Sequence, residues 1–525
     1  MTSRREGIQE SVQPGPKDGT LRSILFPFSA TSRAVAAVTI ADLHLDRIIG
    51  SILCGQSNTE LEKYFHELPD DTETIAYRQA VFFDLGDSVT YSLLEAFAAK
   101  LAAIADATVS VKKSSYRLHV ELRLLDLAQQ YIDLLLEASM TLSDLNFRSA
   151  ALVDIAGCLR SISKSLEFAD FCTQARDLKA RLSEIEYTLF IRDGTVRVEG
   201  YQGEEDYADE VLKLFSRFNE DLTSQREATS NIAGGMDHVR AAILRLVSQV
   251  FPNEFRDLSQ FHVNWPDFID GDLLMYFREL AFYLAVQKKV NSLTKVGNLF
   301  SIPQVYTGEG ESSADGNFDL ALAIKLEAEG DRPIANDWCL AKDEYVIVVT
   351  GPNDGGKTTF ARAFGQLHYM ARLGCPVPAA KAKVQAFDLL ITHFESEERA
   401  TLDQGRLASD LSSAKAALDL AGPNSVLIFN EIFSSTGLQD AKCLGLRLLG
   451  TLCEKRSRAV YVTFVDELAL AGSSIVSMAV AVAKGDPARR FFTLTRSAPT
   501  GRSYALLMAE KFGLTRDMLK DRLER

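Results

Sequence analysis

The chain has no C-x-x-C pair, and its seven cysteines are an odd number scattered from Cys54 to Cys453. A disulfide framework or a thiolate metal site needs the opposite pattern, so a reduced, cytosolic (cytoplasmic) setting is the expectation. Histidine is equally sparse, with seven residues and no ligand-like cluster. No apolar run reaches the ~18–20 residues of a membrane span, so no membrane partner is expected. Positive charge is also short: 57 Lys and Arg stand against 71 Asp and Glu, a net charge of −14. That balance excludes a broadly basic nucleic-acid coat, and any DNA contact has to come from a local basic patch or an enclosing shape. Residues 1–20 are polar with Gly and Pro, which reads as a flexible tail rather than a signal peptide.

What is present is an ordinary globular composition, 46% hydrophobic and 24% charged over 525 residues. At ~100–200 residues per domain that length suggests two to four domains. The fold class expected is α + α/β, with a helical half over residues 21–300 and an α/β half with a mainly parallel sheet over 301–525. In the first half, Tyr116 to Leu145 carries Leu122, Leu125, Leu127, Tyr131, Leu134, Leu135 and Leu142 at three- and four-residue spacing, a helical period. Residues 186–205 alternate around Asp193-Gly194, a hairpin signal. Helical pattern resumes over 207–251, a Pro- and aromatic-rich loop is expected over 251–268, and a long helix from Gly271 to Leu293. In the second half, Tyr345–Thr350, Val426–Phe429 and Ala459–Thr463 are apolar, β-branched runs of the buried parallel-strand kind, with helical patterns between them.

The chemistry is concentrated after the first of those strands. Gly351-Pro352-Asn353-Asp354-Gly355-Gly356-Lys357-Thr358 fits G-x-x-x-x-G-K-S/T, the phosphate loop of P-loop (Walker A) proteins. Small residues let backbone N–H groups wrap phosphates, and the helix starting at Lys357 points its positive end at them. Lys357 is the expected partner of the β- and γ-phosphates of ATP, with Thr359 behind it, and the Thr358 hydroxyl is the expected Mg²⁺ ligand. Val426 to Phe429 followed by Asn430-Glu431 is a Walker B arrangement, in which Asn430 joins the Mg²⁺ shell and Glu431 positions the attacking water. The bland alternative is an apolar strand ending in a solvated polar pair.

The loop's Pro352-Asn353 and Gly355-Gly356 pairs resemble the MutS family of DNA mismatch-repair ATPases. The resemblance continues in order: Gly374-Cys375-Pro376-Val377-Pro378-Ala379, Phe387 to Thr392, Asn430-Glu431-Ile432 with Ser434-Ser435-Thr436, Val462 to Leu468, Gly501-Arg502-Ser503-Tyr504-Ala505, and Phe512-Gly513-Leu514. Upstream, Pro333-Ile334-Ala335-Asn336 is similar to the family's adenine-flanking Phe-Ile-Ala-Asn. It covers about residues 325–525 well and residues 30–300 loosely, where Tyr77-Arg78-Gln79 is its clearest part. It implies a dimer through the ATPase domain, an ATP site completed in trans by Ser409 or Ser412, and a DNA-encircling clamp opened and closed by nucleotide.

The departures are as informative. Asn430 stands for the family's Asp, Phe464 for its H-loop His, and Pro333 for its stacking aromatic, which leaves Ile334 as the base contact. The family's mismatch-reading domain has no counterpart in the polar residues before the core. Phe65-His66-Glu67 matches its Phe-x-Glu wedge, but so do Phe218-Asn219-Glu220 and Phe429-Asn430-Glu431, so an amphipathic helix with an apolar Phe65 is the preferred reading. Lys112, Lys113, Tyr116 and Arg117, and the looser Arg240, Arg245 and Arg256, are basic patches that read first as solvated helix faces. His368 reads as structural, and Glu397-Glu398-Arg399 as a solvated loop. Two function classes remain open: a DNA-binding ATPase of mismatch repair or related DNA maintenance, and a nucleotide-gated scaffold for a protein partner. A transporter-type ATPase would need a Leu-Ser-Gly-Gly-Gln signature, which is absent.

Overall fold

The structure, a computed structural model, describes residues 23–28, 32–53, 59–192, 195–204, 238–352, 355–394, 405–482, 490–499, 515–516 and 518. The chain opens with β1 (Ser32–Ala34), α1 (Ala37–Asp42), α2 (Leu45–Ile52), α3 (Thr59–His66), β2 (Glu67–Pro69), α4 (Thr72–Leu85) and α5 (Ser88–Val111). It continues through α6 (Arg117–Ser143), α7 (Ala150–Lys164), α8 (Leu166–Ser183), β3 (Tyr187–Arg192), β4 (Thr195–Gly200), α9 (His238–Val250), α10 (Pro252–Asn264) and α11 (Gly271–Lys295). The described residues form two compact units, one of those up to Tyr91, Phe147–Val153 and those from Arg278 on, the other of Ser92–Asn146 and those between Asp154 and Phe277. The position near residue 300 where the sequence changes character falls inside the first unit.

The second unit is mainly helical. Along α6, Leu125, Ala128, Tyr131, Leu135, Ala138 and Leu142 form the buried stripe that the three- and four-residue spacing requires. The hairpin is β3 paired antiparallel with β4, Leu189 opposite Val198, and its turn residues Asp193 and Gly194 lie outside the described residues. Residues 251–268, expected as a loop, contain α10 instead. Pro252 sits in its first turn, where a missing N–H is tolerated. Phe255, Leu258 and Phe261 then repeat every three residues and are buried. The aromatics that suggested a loop are a helical stripe: Phe171 of α8 stacks on Phe261 and meets Trp265 edge-on at 5.1 Å. Two cations of the basic patch are paired, Lys112 with Asp267 and Arg117 with Glu121, each at 2.8 Å.

The first unit carries the α/β layers. Its later elements are β5 (Gln304–Tyr306), β6 (Ser312–Asn317), α12 (Leu320–Glu327), β7 (Asn336–Leu340), β8 (Val346–Thr350), α13 (Lys357–Arg372), β9 (Lys381–Gln385), β10 (Leu389–Phe394), α14 (Arg406–Leu420), β11 (Ser425–Asn430), α15 (Leu438–Glu454), β12 (Arg458–Val462), a short 3-10 helix (Asp466–Leu470), β13 (Ile475–Val482) and β14 (Arg490–Arg496). Six strands form one sheet in the order β10-β11-β12-β8-β13-β14, with only β14 antiparallel. Every residue of β8, β11 and β12 is buried, as a parallel sheet covered on both faces demands. Alternate side chains divide between the faces. Val346, Val348, Leu427, Phe429 and Tyr461 pack with α14 and α15, whereas Ile428 points to Gly365 of α13. A second sheet, β5-β9-β6-β7, lies in the same unit. Among the described residues no helix is long and apolar enough to cross a membrane.

Phe65 is core, 1% exposed, with its ring 4.9 Å from that of Phe282, and the Tyr369 hydroxyl of α13 donates to its carbonyl at 2.6 Å. A wedge needs a free ring, so the amphipathic-helix reading holds for this residue.

Two predictions follow from α13. A methyl added at Gly365 would lie 2.6 Å from Ile428 Cδ1 and 2.7 Å from Leu43 Cδ2. Helix propensity favours Ala by about 1 kcal/mol, but overpacking costs about 1–3 kcal/mol. Gly365→Ala should therefore lower the urea midpoint, and a raised midpoint would refute the packing argument. His368 is fully buried beside Phe364 and Trp338, and burial lowers its pKa from 6.5 to about 4. The unfolded chain binds that proton more readily, so this contribution to stability is complete above about pH 6.5 and is lost as pH falls toward 4. The loss is about 3 kcal/mol at most. His368→Phe should flatten the fall in stability between these limits in unfolding curves recorded across them.

Candidate functional site

The C-terminal ends of the parallel strands bring the site together. Asn430 ends β11 opposite Val462 of β12, Val462 pairs with Val349 of β8, and Thr350 pairs with Ala479 of β13. Loops that leave these ends converge on one crevice, the usual ligand position in an open α/β sheet. Gly351 has φ 135° and an added Cβ would lie 2.8 Å from the Val480 side chain, so only glycine fits against β13 there. Gly356 has φ 89° and sits at the N-cap of α13 without a side-chain cap, so the first-turn N–H groups of α13 face the crevice without one. Gly355 donates its N–H to the Pro352 carbonyl at 3.3 Å. Asn353 and Asp354 lie outside the described residues.

Lys357 is 4% exposed; its ammonium donates to the Gly351 carbonyl at 2.9 Å and stands 3.6 Å from Glu431 Oε1. The Thr358 hydroxyl donates to Asn430 Oδ1 at 2.9 Å. Glu431 follows β11 in the left-handed region, φ 55°, and its N–H donates to the Val462 carbonyl at 3.0 Å. That turn aims the carboxylate back at Lys357 instead of continuing the strand. Lys357, Thr358, Asn430 and Glu431, predicted from two motifs 72 residues apart, are thus brought together through one hydrogen bond and one ion pair.

A cleft of about 750 Å³ opens over this group and is lined by Gly356, Lys357, Thr358, Thr359 and Glu431. Its apolar lining includes Leu322 and Leu326 of α12, Pro333, Ile334 and Phe492. Ile334 is half exposed at 49%, whereas Pro333 is buried. Phe492 was not singled out by any motif. It has φ 53° and a 47% exposed ring, and it packs beside Gly356. A bulky residue rarely adopts that backbone region unless its surroundings hold it. Asn336 supplies the hold: its Nδ2 donates to the Phe492 carbonyl at 3.2 Å and its Oδ1 accepts from Leu494 N–H at 2.6 Å. The only sequence signal was Asn336 itself, as part of the segment 333–336.

Other predicted residues lie elsewhere. Ser409 is in the first turn of α14 and Phe464 is 44% exposed after β12, and neither lines the cleft of its own chain. Residues 397–399, 501–505 and 512–514 lie outside the described residues, as does Phe218. Among the described residues no group of three His, Cys, Asp or Glu could hold a metal. The Thr358–Asn430 pair does suit Mg²⁺, a cation that takes one or two protein oxygens and completes its shell with phosphate and water.

Residues 347–524 match the family model for MutS domain V. Over 137 residues the chain is 29% identical to the MutS protein homolog him-14 of Caenorhabditis elegans, covering 26% of this chain and 16% of that protein. Over 190 residues it is 28% identical to the DNA mismatch repair protein MutS of Streptococcus pneumoniae (strain Hungary19A-6), 35% of this chain and 22% of that protein. The DNA mismatch repair protein HexA of Streptococcus pneumoniae (strain ATCC BAA-255 / R6) matches to the same extent. The matched stretches span between 16% and 22% of those relatives' lengths. The stretch similar to MutS domain V starts within β8 and contains Lys357, Thr358, Asn430 and Glu431.

Proposed function

We propose that the cleft is an ATP site of the P-loop type and that this chain is a slow, Mg²⁺-dependent ATPase whose nucleotide state gates DNA binding by a dimer. The observation that carries the reading is the cluster at the strand ends, in which the Thr358 hydroxyl donates to Asn430 beside the buried Lys357 ammonium. Lys357 exchanges the Gly351 carbonyl for phosphate oxygens, and the first-turn N–H groups of α13 add further donors. Thr358 and Asn430 hold Mg²⁺, which supplies neutralisation of phosphate charge when bound. Glu431, once its carboxylate leaves Lys357, orients water and accepts its proton. The base packs against Ile334 and the ring of Phe492, which provides the flat aromatic surface missing at Pro333.

Asn430 brings an oxygen but no charge, so weak metal affinity and slow turnover follow from it. A relative that acts in mismatch repair, such as the MutS of Streptococcus pneumoniae, supports DNA as the partner. The net charge of −14 favours the second reading, a nucleotide-gated scaffold for a protein. The trans-acting Ser409 of a second copy belongs to the dimer reading, as do helical core and ATPase domains divided near residue 300.

Lys357→Ala should weaken ATP binding about 10- to 100-fold, the loss expected for hydrogen bonds to a charged group; unchanged binding by calorimetry would sink the site assignment. Asn430→Asp should lower the Mg²⁺ concentration needed for half-maximal turnover by about tenfold, the lower end of the effects seen around metal sites. No change in that concentration would remove Asn430 from the metal shell. Binding to duplex, mismatched and branched DNA should fall steeply with salt if DNA is the partner. Absence of binding even at low salt would leave the scaffold reading.

A further inference from the structure

Behind the cleft, α13 carries a glutamine at a position where a parallel α/β layer would ordinarily place an apolar residue. Gln366 is fully buried, at 0% exposure. Its amide makes three hydrogen bonds to two other segments. Oε1 accepts from Leu320 N–H at 2.7 Å, and Nε2 donates to Asp319 Oδ1 at 2.9 Å and to the Leu43 carbonyl at 2.9 Å. Asp319 is itself the N-cap of α12, accepting from Leu322 N–H at 3.1 Å. Asp319, Leu322 and Leu326 all line the cleft. Gln366 therefore clamps the start of the apolar wall to the helix whose other end holds Lys357 and Thr358.

The third bond reaches the corner between α1 and α2. That corner is tied to α13 and the sheet by more than one contact. Arg362 donates to the Asp42 carbonyl at 3.0 Å, and Thr392 of β10 donates to Asp42 Oδ2 at 2.8 Å. Gly365 leaves room for Leu43 to seat directly on α13, and α12 packs against α2. One amide is the only common side chain able to donate twice and accept once in this geometry. A leucine would leave a buried carboxylate oxygen, an N–H and a carbonyl each short of a partner.

We propose that Gln366 is a positioning residue that sets the distance between the apolar wall of the cleft and its phosphate end, and that it passes cleft occupancy to the α1–α2 corner. The proposal rests on the nucleotide reading above. A ligand with a base presses on α12 and so on Asp319, Gln366 and Leu43. A ligand made of phosphate alone engages Lys357, Thr358 and the first turn of α13, none of which Gln366 contacts.

The experiment compares ATP with inorganic tripolyphosphate, by calorimetry on the full chain and its Gln366→Leu variant, both with Mg²⁺. Gln366→Leu should weaken ATP by about tenfold, a change of about 1.4 kcal/mol, and leave tripolyphosphate within about twofold. Equal losses for both ligands, or none for either, would overturn the positioning role. Hydrogen exchange gives the second readout. ATP should slow exchange in residues 37–52 of the wild type, and Gln366→Leu should remove that protection while the α13 amides stay protected. Protection retained in the variant would overturn the link to the corner. A wild type that binds tripolyphosphate but not ATP would overturn the base wall, and one that binds neither would overturn the nucleotide reading itself.

Discussion

The site is organised around one buried cation. The Lys357 ammonium sits at the start of α13 with almost no solvent contact, and the Gly351 carbonyl and Glu431 carboxylate answer its charge. A buried ammonium without such partners would be strongly unfavourable. Its position therefore constrains the rest: a loop that turns back through a left-handed Gly356, a Gly351 flat against Val480, and a Glu431 bent out of β11 by its own left-handed turn. Both of these contacts are ones that an anion can replace. That arrangement underlies the proposed phosphate site.

The rest of the cleft is assembled from distant stretches. Asn336 donates to the carbonyl of Phe492, 156 residues away, and accepts from Leu494 N–H, and these two bonds hold Phe492 in an uncommon backbone region. Asp319 and Gln366 are 47 residues apart and join the apolar wall to α13. Neither pair belongs to the loop or to the strand-end carboxamide and carboxylate, yet Asn336, Phe492 and Asp319 all line the cleft. Substituting an aromatic on β14 for the expected aromatic at Pro333 places a flat surface on the cleft from a different strand.

Much of the α/β half was legible in the order of residues because its signals are local. Buried parallel strands must be apolar throughout, so β8, β11 and β12 announce themselves as runs, and the loop after β8 announces itself by glycines that the turn and the helix start require. α10 departs from the expected loop because its aromatics and initial proline have loop composition, while the three-residue spacing of Phe255, Leu258 and Phe261 buries them along one helix face. Phe65 matched a functional motif by three letters and is core by packing.

From sequence alone came the identity of the groups: a lysine and a hydroxyl at a helix start, an amide and a carboxylate at a strand end, and glycines where side chains cannot fit. Their meeting at a parallel strand register, the Phe492 face, and the Gln366 clamp came only from the tertiary structure. The physical reason is range. Strand runs, glycine turns and helix starts are dictated by neighbours along the chain, whereas a side-chain hydrogen bond across 47 or 156 residues leaves no periodic mark on either partner.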